Sequence, residues 1–177
     1  MELEKKSDIP PDLLSSVTAF LSLLDPSQVV LVLGSESGEI LERFKARGYR
    51  VVGLESDPEL IQKSRERGLE VIEGSLNKIA SLNLPRNIGG VWAGATFSHT
   101  TASDLEHILE VIHLMLPEKG GFYLAVPKGK GEVLDSSGKV TQFYSEDELR
   151  KILTDKYFEI IQLETSTPSL ITAVVKR

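Results

Sequence analysis

The residues with the clearest chemical potential are Gly34, Gly38 and Glu55. The apolar run 29–33 leads into a loop framed by the two glycines, and a second apolar run, 51–54, ends at the carboxylate. This order indicates strand, glycine loop, helix, strand and acid, with the first helical turn pointing at a ligand above the sheet edge. A carboxylate about twenty residues after such a loop can accept hydrogen bonds from both hydroxyls of a ribose. The segment therefore predicts a site for a nucleoside-containing cofactor.

The glycine spacing argues against two phosphate-binding loops. A dinucleotide-binding loop has glycine at its first, third and sixth positions, which here are Gly34, Glu36 and Glu39. No Gly-Lys-Ser/Thr follows Gly34 at the spacing of a P-loop. A pyrophosphate would also meet the two carboxylates, whereas it binds best to bare amides. A cofactor without phosphates is favoured, and a dinucleotide-dependent dehydrogenase is the weaker alternative.

Length and composition limit the class of protein. The 177 residues, 41% hydrophobic and 26% charged, predict a single domain over 1–177, with an N-terminal helical segment over 1–27 and an α/β core over 28–177. A net charge of -6 argues against general nucleic-acid binding. Cysteine is absent, and no histidine and carboxylate spacing indicates a metal site. No apolar run approaches the roughly 20 residues that span a bilayer, so we expect a cytoplasmic protein without membrane association.

Helical and extended patterns alternate along the chain, which predicts an α/β fold with helices on both faces of a mostly parallel sheet. The expected strands are Val29–Leu33, Arg50–Glu55, Glu70–Ile72, Gly90–Ala95, Gly121–Val126, Phe158–Leu163 and Leu170–Val175. The short polar link Thr165–Ser169 predicts that the last two strands form an antiparallel hairpin. Helix-start signals are expected at Asp57-Pro58, Ser103-x-x-Glu106 and Ser145-x-x-Glu148.

Three segments, residues 31–75, 89–132 and 141–165, together resemble the class I S-adenosylmethionine-dependent methyltransferases, in particular their small type 11 or tellurite-resistance-like members. The resemblance implies a Rossmann-like fold with a seven-stranded sheet that is mostly parallel and ends in an antiparallel hairpin. It also implies S-adenosylmethionine as cofactor and in-line transfer of a methyl group to a small-molecule acceptor.

The resemblance further implies the residues of the site. Glu55 would accept hydrogen bonds from the ribose, and His99, at the end of the loop after the fourth strand, would position or deprotonate the acceptor. A loop histidine bonded to a neighbouring carbonyl is the alternative for His99. The cofactor-binding residues implied are Gly34, Ser35, Glu36, Gly38, Glu55, Ser56, Ser75, Leu76, Ala93 and Ala95.

Four positions depart from the pattern of the family. Val32 replaces an acid before the loop, and Glu36 replaces the middle glycine. Ser75 replaces the acid that binds adenine, and Gly89 replaces an acid before the fourth strand. A non-glycine residue with positive φ at Glu36 would cost about 1–2 kcal/mol, roughly tenfold in affinity. These departures support an alternative function, a catalytically inactive methyltransferase-like module that binds a protein partner.

The glycine-rich, charged segment Lys128–Tyr144 has two interpretations. It could contact the substrate, with Lys128 and Lys130 receiving an anion, or it could be a solvated hairpin that turns at Ser137-Gly138. Tyr144 either packs against the strand edge or reaches the acceptor pocket. Elsewhere, Trp92 is expected in the core, and His107 and His113 are expected to be solvated.

Overall fold

The computed structural model describes residues 11–177, so the first ten residues of the expected N-terminal segment lie outside the described part. The helices are α1 (Pro11–Ser22), α2 (Glu39–Ala46), α3 (Pro58–Glu66), α4 (Ala102–Met115) and α5 (Glu146–Asp155). The strands are β1 (Val29–Leu33), β2 (Arg50–Glu55), β3 (Val71–Glu73), β4 (Ile88–Ala93), β5 (Gly121–Pro127), β6 (Glu132–Leu134), β7 (Val140–Gln142), β8 (Glu159–Thr167) and β9 (Leu170–Lys176). Short 3-10 segments cover Leu76–Ser81 and Ala95–His99. Within residues 11–177, no helix is long and apolar enough to cross a membrane.

Seven strands form one sheet in the order β3-β2-β1-β4-β5-β9-β8. The first five are parallel, and β9 is antiparallel to both of its neighbours, β5 and β8. This arrangement confirms the predicted fold class, a mostly parallel sheet that ends in an antiparallel hairpin. Strand order reverses between β1 and β4, which in open α/β sheets opens a crevice at the carboxyl ends of the strands.

Helices cover both faces of the sheet because the buried strands carry apolar residues on both sides. In β1, Val29, Leu31 and Leu33 belong to the core cluster beneath α4 and α5. Val30 and Val32 belong to the cluster beneath α1, α2 and α3. This second cluster confirms the expected core position of the tryptophan, whose ring stacks on a tyrosine at 3.7 Å and meets two phenylalanines edge-on. The four aromatic residues are Trp92, Tyr123, Phe20 and Phe44.

Two of the three predicted helix starts are confirmed. Asp57 caps α3 by accepting from the Glu59 amide at 2.8 Å, and Ser145 begins α5 in a reciprocal capping box with Glu148. The box predicted at Ser103 is wrong. The helix α4 starts earlier, with Thr101 as its cap, and the Thr101 hydroxyl accepts from the Asp104 amide at 3.1 Å.

Several expected strand boundaries move by one to four residues. The strand β4 begins at Ile88, so Gly89 lies inside the strand and not before it. The strand β8 continues to Thr167, which shortens the last turn to two residues. The segment after β5 forms the antiparallel hairpin β6–β7, with Gly138 at φ 81° in its turn. This hairpin matches the solvated interpretation of the segment in shape.

Candidate functional site

The loop between β1 and α2 alternates into the left-handed region at three positions. The φ angles are 62° at Gly34, 50° at Glu36 and 95° at Gly38. A Cβ atom at Gly34 would lie 1.8 Å from Thr96 Oγ1, and one at Gly38 would lie 2.4 Å from Leu69 Cδ1. Backbone angle favours glycine at both positions, and space adds to this at Gly34, where the short side chain of Thr96 cannot move aside.

The middle position of the loop has the positive φ that the sequence comparison with the family anticipated, although its residue is Glu36. Three contacts within the chain hold the backbone there. The Glu36 amide donates to Glu55 Oε2 at 2.9 Å, and the Ser64 hydroxyl donates to the Glu36 carbonyl at 3.2 Å. Arg67 Nη1 donates to the Ser37 carbonyl at 2.7 Å. Side chains from β2 and α3 thus support the conformation that glycine would adopt freely.

The carboxylate of Glu55 is 9% exposed and is committed to backbone amides. Its Oε1 accepts from the Ser56 amide at 2.8 Å and from the Asp57 amide at 3.1 Å, in addition to the Oε2 bond with Glu36. A carboxylate has about four lone-pair sites, so one site on Oε2 stays available to a ligand. Glu55 is therefore a positioned acceptor and not a freely solvated strand-end acid.

A cleft of about 510 Å³ opens at the carboxyl ends of β1, β2 and β4. It brings together most of the residues implicated by the sequence, namely Gly34, Glu36, Glu55, Ser56, Leu76, Ala95 and His99. It also includes residues that sequence reasoning did not identify, namely Leu54, Leu60, Gly74, Thr96 and Lys139. Leu54, Gly74 and Thr96 are neighbours in sequence of Glu55, Ser75 and Ala95, and this adjacency is a signal that could have found them; Leu60 and Lys139 have no such neighbour.

Four residues of the implied cofactor set do not line this cleft. Ser35 is 2% exposed, and its buried hydroxyl has no hydrogen-bond partner among the described residues. Ala93 is buried in the sheet, and Gly38 packs beneath Leu69. Ser75 is exposed and precedes the 3-10 turn at Leu76. Ser35, Gly38 and Ala93 thus face the packed interior, whereas Ser75 faces solvent outside the cleft.

His99 has surroundings that bear on both of its interpretations. It lines the cleft, and its Nδ1 lies 3.0 Å from the Val140 carbonyl of the β6–β7 hairpin. Because a carbonyl can only accept, this contact requires the proton on Nδ1, and a neutral ring then has an unprotonated Nε2. His99 is therefore bonded to a neighbouring carbonyl while it lines the cleft, and its role toward an acceptor stays a prediction.

Lys128, Lys130 and Tyr144, the residues of the segment after β5 that the sequence singled out, lie away from the cleft. Lys128 Nζ donates to the Thr165 hydroxyl at 3.0 Å, and Lys130 borders a separate shallow pocket with Glu146 and Asp147. Tyr144 is 3% exposed and belongs to the core. Burial raises the pKa of Tyr144 to about 12, and two nearby glutamates add to this shift.

The two remaining histidines differ in environment. His107 is exposed on α4, as expected. His113 is half-buried, with its ring centroid 5.2 Å from that of Phe158, so the expectation that it is solvated is wrong. Burial lowers the pKa of His113, and the charge of Arg177 lowers it further. Neither ring lies at the cleft.

Comparison with known proteins finds similarity in fold but not in sequence. No protein-family model matches the chain, and no curated protein matches it in sequence. The 1,6-didemethyltoxoflavin-N1-methyltransferase of Burkholderia thailandensis, solved with 1,6-didemethyltoxoflavin and S-adenosylhomocysteine, is 17% identical with a TM-score of 0.78 over 94% of this chain and 78% of that chain. The chain has the class I methyltransferase fold.

Two further structures with the class I methyltransferase fold match over nearly their whole length. An S-adenosylmethionine-dependent methyltransferase of Methanosarcina mazei is 17% identical, with a TM-score of 0.76 over 96% of this chain and 98% of that one. Another from Mesorhizobium loti is 14% identical, with a TM-score of 0.70 over 90% and 96%. At such identities the topology is shared while most side chains differ.

The class I methyltransferase fold puts the four departures from the family pattern in different places. Val32 is 1% exposed in the core cluster beneath α1, α2 and α3, and Gly89 is buried inside β4. Ser75 lies outside the lining of the cleft. Glu36 is the one departure of the four that lines it. Of the four altered residues, Glu36 is therefore the one that can contact a ligand in the cleft.

Proposed function

We propose that the protein is an S-adenosylmethionine-dependent methyltransferase that acts on a small-molecule acceptor. The observation that carries this proposal is the cleft itself. The Gly34 loop, the Glu55 carboxylate and the segment after β4 line one space where the strand order reverses, which is where α/β folds bind ligands.

The residues of the cleft fit the cofactor. Its volume of about 510 Å³ lies within the range of about 300–1,000 Å³ found for small-molecule sites. Gly34 lets the loop pack against Thr96 at the edge of the cleft, and Glu55 retains one acceptor site for a ribose hydroxyl. The carboxylate of Glu36 in the loop is compatible with a cofactor that has no phosphates.

When bound, S-adenosylmethionine supplies a methyl group that its sulfonium has already activated, so positioning of the acceptor provides much of the acceleration. The chain has three tasks. The Gly34 loop and Glu55 hold the adenosine part, and the apolar walls at Leu54, Leu60 and Leu76 exclude water. His99 Nε2 accepts the proton of an acceptor that must lose one, since a neutral imidazole is a base near neutral pH.

A small-molecule acceptor is supported by the dimensions of the cleft and by one neighbour. The Burkholderia enzyme was solved with 1,6-didemethyltoxoflavin, a small molecule, beside S-adenosylhomocysteine. The acceptor loops of one scaffold vary freely, so the identity of the acceptor here has to be found by experiment.

Isothermal titration tests the proposal. The purified protein is titrated with S-adenosylmethionine, with S-adenosylhomocysteine and, as control, with NAD. We expect micromolar binding of the two sulfur compounds and no binding of NAD. If protein shown to be folded by circular dichroism binds neither sulfur compound at millimolar concentration, the proposal fails, and the alternative of an inactive partner-binding module takes its place.

A further inference from the structure

Lys139, in the turn of the β6–β7 hairpin, lines the candidate cleft. Among the described residues that line the cleft, it is the only lysine or arginine, and it shares the space with Glu36, Glu55 and His99. A cation in a cleft that also contains two carboxylates attracts a ligand whose charge is negative at one end.

The backbone of Lys139 is fixed by the turn that carries it. The Lys139 amide donates to Asp135 Oδ1 at 3.0 Å, and the Lys139 carbonyl accepts from the Asp135 amide at 3.0 Å. Asp135 Oδ1 also accepts from the Ser137 amide at 2.8 Å. Both the amide and the carbonyl of Lys139 are therefore bonded to Asp135, within a turn of five residues.

A second anchor joins this turn to the sheet. His99 Nδ1 bonds the carbonyl of Val140, the residue that follows Lys139, at 3.0 Å. The histidine belongs to the 3-10 segment directly after β4, so the hairpin is held at the carboxyl edge of the sheet. A side chain with a fixed backbone loses less entropy when it binds a ligand.

The charge of the Lys139 ammonium group helps to lower the pKa of Asp135, but the group has hydrogen-bond donors to spare. It forms no ion pair or side-chain hydrogen bond with any residue in the described range 11–177. Other lysines are engaged, since Lys128 donates to Thr165 and Lys156 pairs with Glu110. Lys139 therefore presents a free donor in the same cleft whose carboxylate, Glu55, is already bonded to amides.

We propose that Lys139 binds a carboxylate of the molecule that occupies the cleft. This inference rests on the proposed function. The carboxylate is either that of the methionine part of the cofactor or one carried by the methyl acceptor. Both have the same chemistry, a planar anion within reach of one ammonium group.

The test compares Lys139→Met with the wild type and with Lys130→Met as matched control. Lys130 is in the same segment but borders a different pocket. In the first arm, S-adenosylhomocysteine is titrated beside 5′-methylthioadenosine, which lacks the amino-carboxylate. In the second arm, protein saturated with S-adenosylhomocysteine is titrated with benzoate and with neutral benzamide. Urea titration confirms that the variants retain the stability of the wild type.

If the carboxylate belongs to the cofactor, Lys139→Met lowers the affinity for S-adenosylhomocysteine by about three- to tenfold. The affinity for 5′-methylthioadenosine does not change. If the carboxylate belongs to the acceptor, the variant loses benzoate binding and leaves S-adenosylhomocysteine unchanged. In either case Lys139→Arg restores most of the affinity, and added salt reduces the difference between wild type and variant.

The inference is overturned if Lys139→Met changes neither S-adenosylhomocysteine nor benzoate, or if Lys130→Met has an equal effect. This result differs from failure of the proposed function, in which the wild type itself does not bind S-adenosylhomocysteine and both proposals fall. If the wild type binds S-adenosylhomocysteine but the Lys139 substitution changes nothing, only the proposal about Lys139 falls.

Discussion

Replacing Glu36 by glycine is expected to stabilise the protein relative to replacing it by alanine. Both substitutions remove the carboxylate, but alanine keeps a Cβ atom at a backbone φ of 50°. The pair therefore separates the effect of the backbone angle from the effect of the charge. It also tests whether the contacts from Glu55, Ser64 and Arg67 hold the loop in the conformation described.

The magnitude follows from two opposing terms. A residue with a Cβ in the left-handed region costs about 1–2 kcal/mol. Glycine loses more backbone entropy on folding than alanine, which offsets about 0.5–1 kcal/mol of that gain. We expect Glu36→Gly to exceed Glu36→Ala by about 0.5–1 kcal/mol in the free energy of unfolding. For a chain of this length the melting temperatures should differ by about 1–4 °C.

Equilibrium urea unfolding measures the difference, with fluorescence of the single tryptophan as the signal. Trp92 is 4% exposed and lies in the core beneath α1 and α2, so its emission reports global unfolding. The urea concentration at the midpoint of unfolding should differ between the two variants, while the slope of the free energy of unfolding against urea stays constant. If Glu36→Ala is as stable as Glu36→Gly, residue 36 does not have positive φ and the account of the loop is refuted.

Three further predictions concern buried groups. Glu55→Ala is expected to lower the free energy of unfolding by about 2–3 kcal/mol, because three amides lose a charged acceptor. Glu55→Ala should also lower the affinity for S-adenosylmethionine roughly tenfold or more, as measured by calorimetry. An unchanged midpoint of urea unfolding would contradict the amide contacts. Tyr144→Phe is expected to stabilise by about 1 kcal/mol in urea, because the buried hydroxyl has no partner among the described residues, and destabilisation would reveal one. The lowered pKa of His113 means that the folded state binds fewer protons than the unfolded state below a pH of about 6.5, so stability falls as pH falls through this range. His113→Gln should reduce that fall between about pH 6.5 and 5, and an unchanged slope would mean that the ring is solvated.

The sequence predicts the sheet well because the signals for its strands are local. The five residues of β1 are apolar and fully buried, and the expected bounds of β1 and β2 agree with the structure. The cap at Asp57 is equally local, since its side chain needs only the amides of the next turn. The cap at Ser103 was mistaken because Thr101 offers the same hydroxyl two residues earlier, and a capping pattern does not decide between neighbours.

The cleft is less predictable because its residues meet through tertiary contacts. Adjacent loop residues diverge, with Glu36 at the cleft and Ser35 packed against Gly53. Lys139 lines the cleft from a hairpin that also contacts His99, and no motif around Lys139 indicates that placement. The sequence left open whether Lys128 and Lys130 receive an anion, and in the structure the ammonium group of Lys128 donates to Thr165.

The absence of the middle glycine is a weaker sign of lost function than it is in the sequence alone. Bonds from Glu55, Ser64 and Arg67 hold the loop, so the cost of positive φ at Glu36 is met when the chain folds and not when a ligand binds. Glycine and alanine at position 36 should then bind S-adenosylmethionine within about threefold of each other, although they differ in stability. Calorimetry on the two variants decides this point, and a tenfold preference for glycine would place the cost on binding after all.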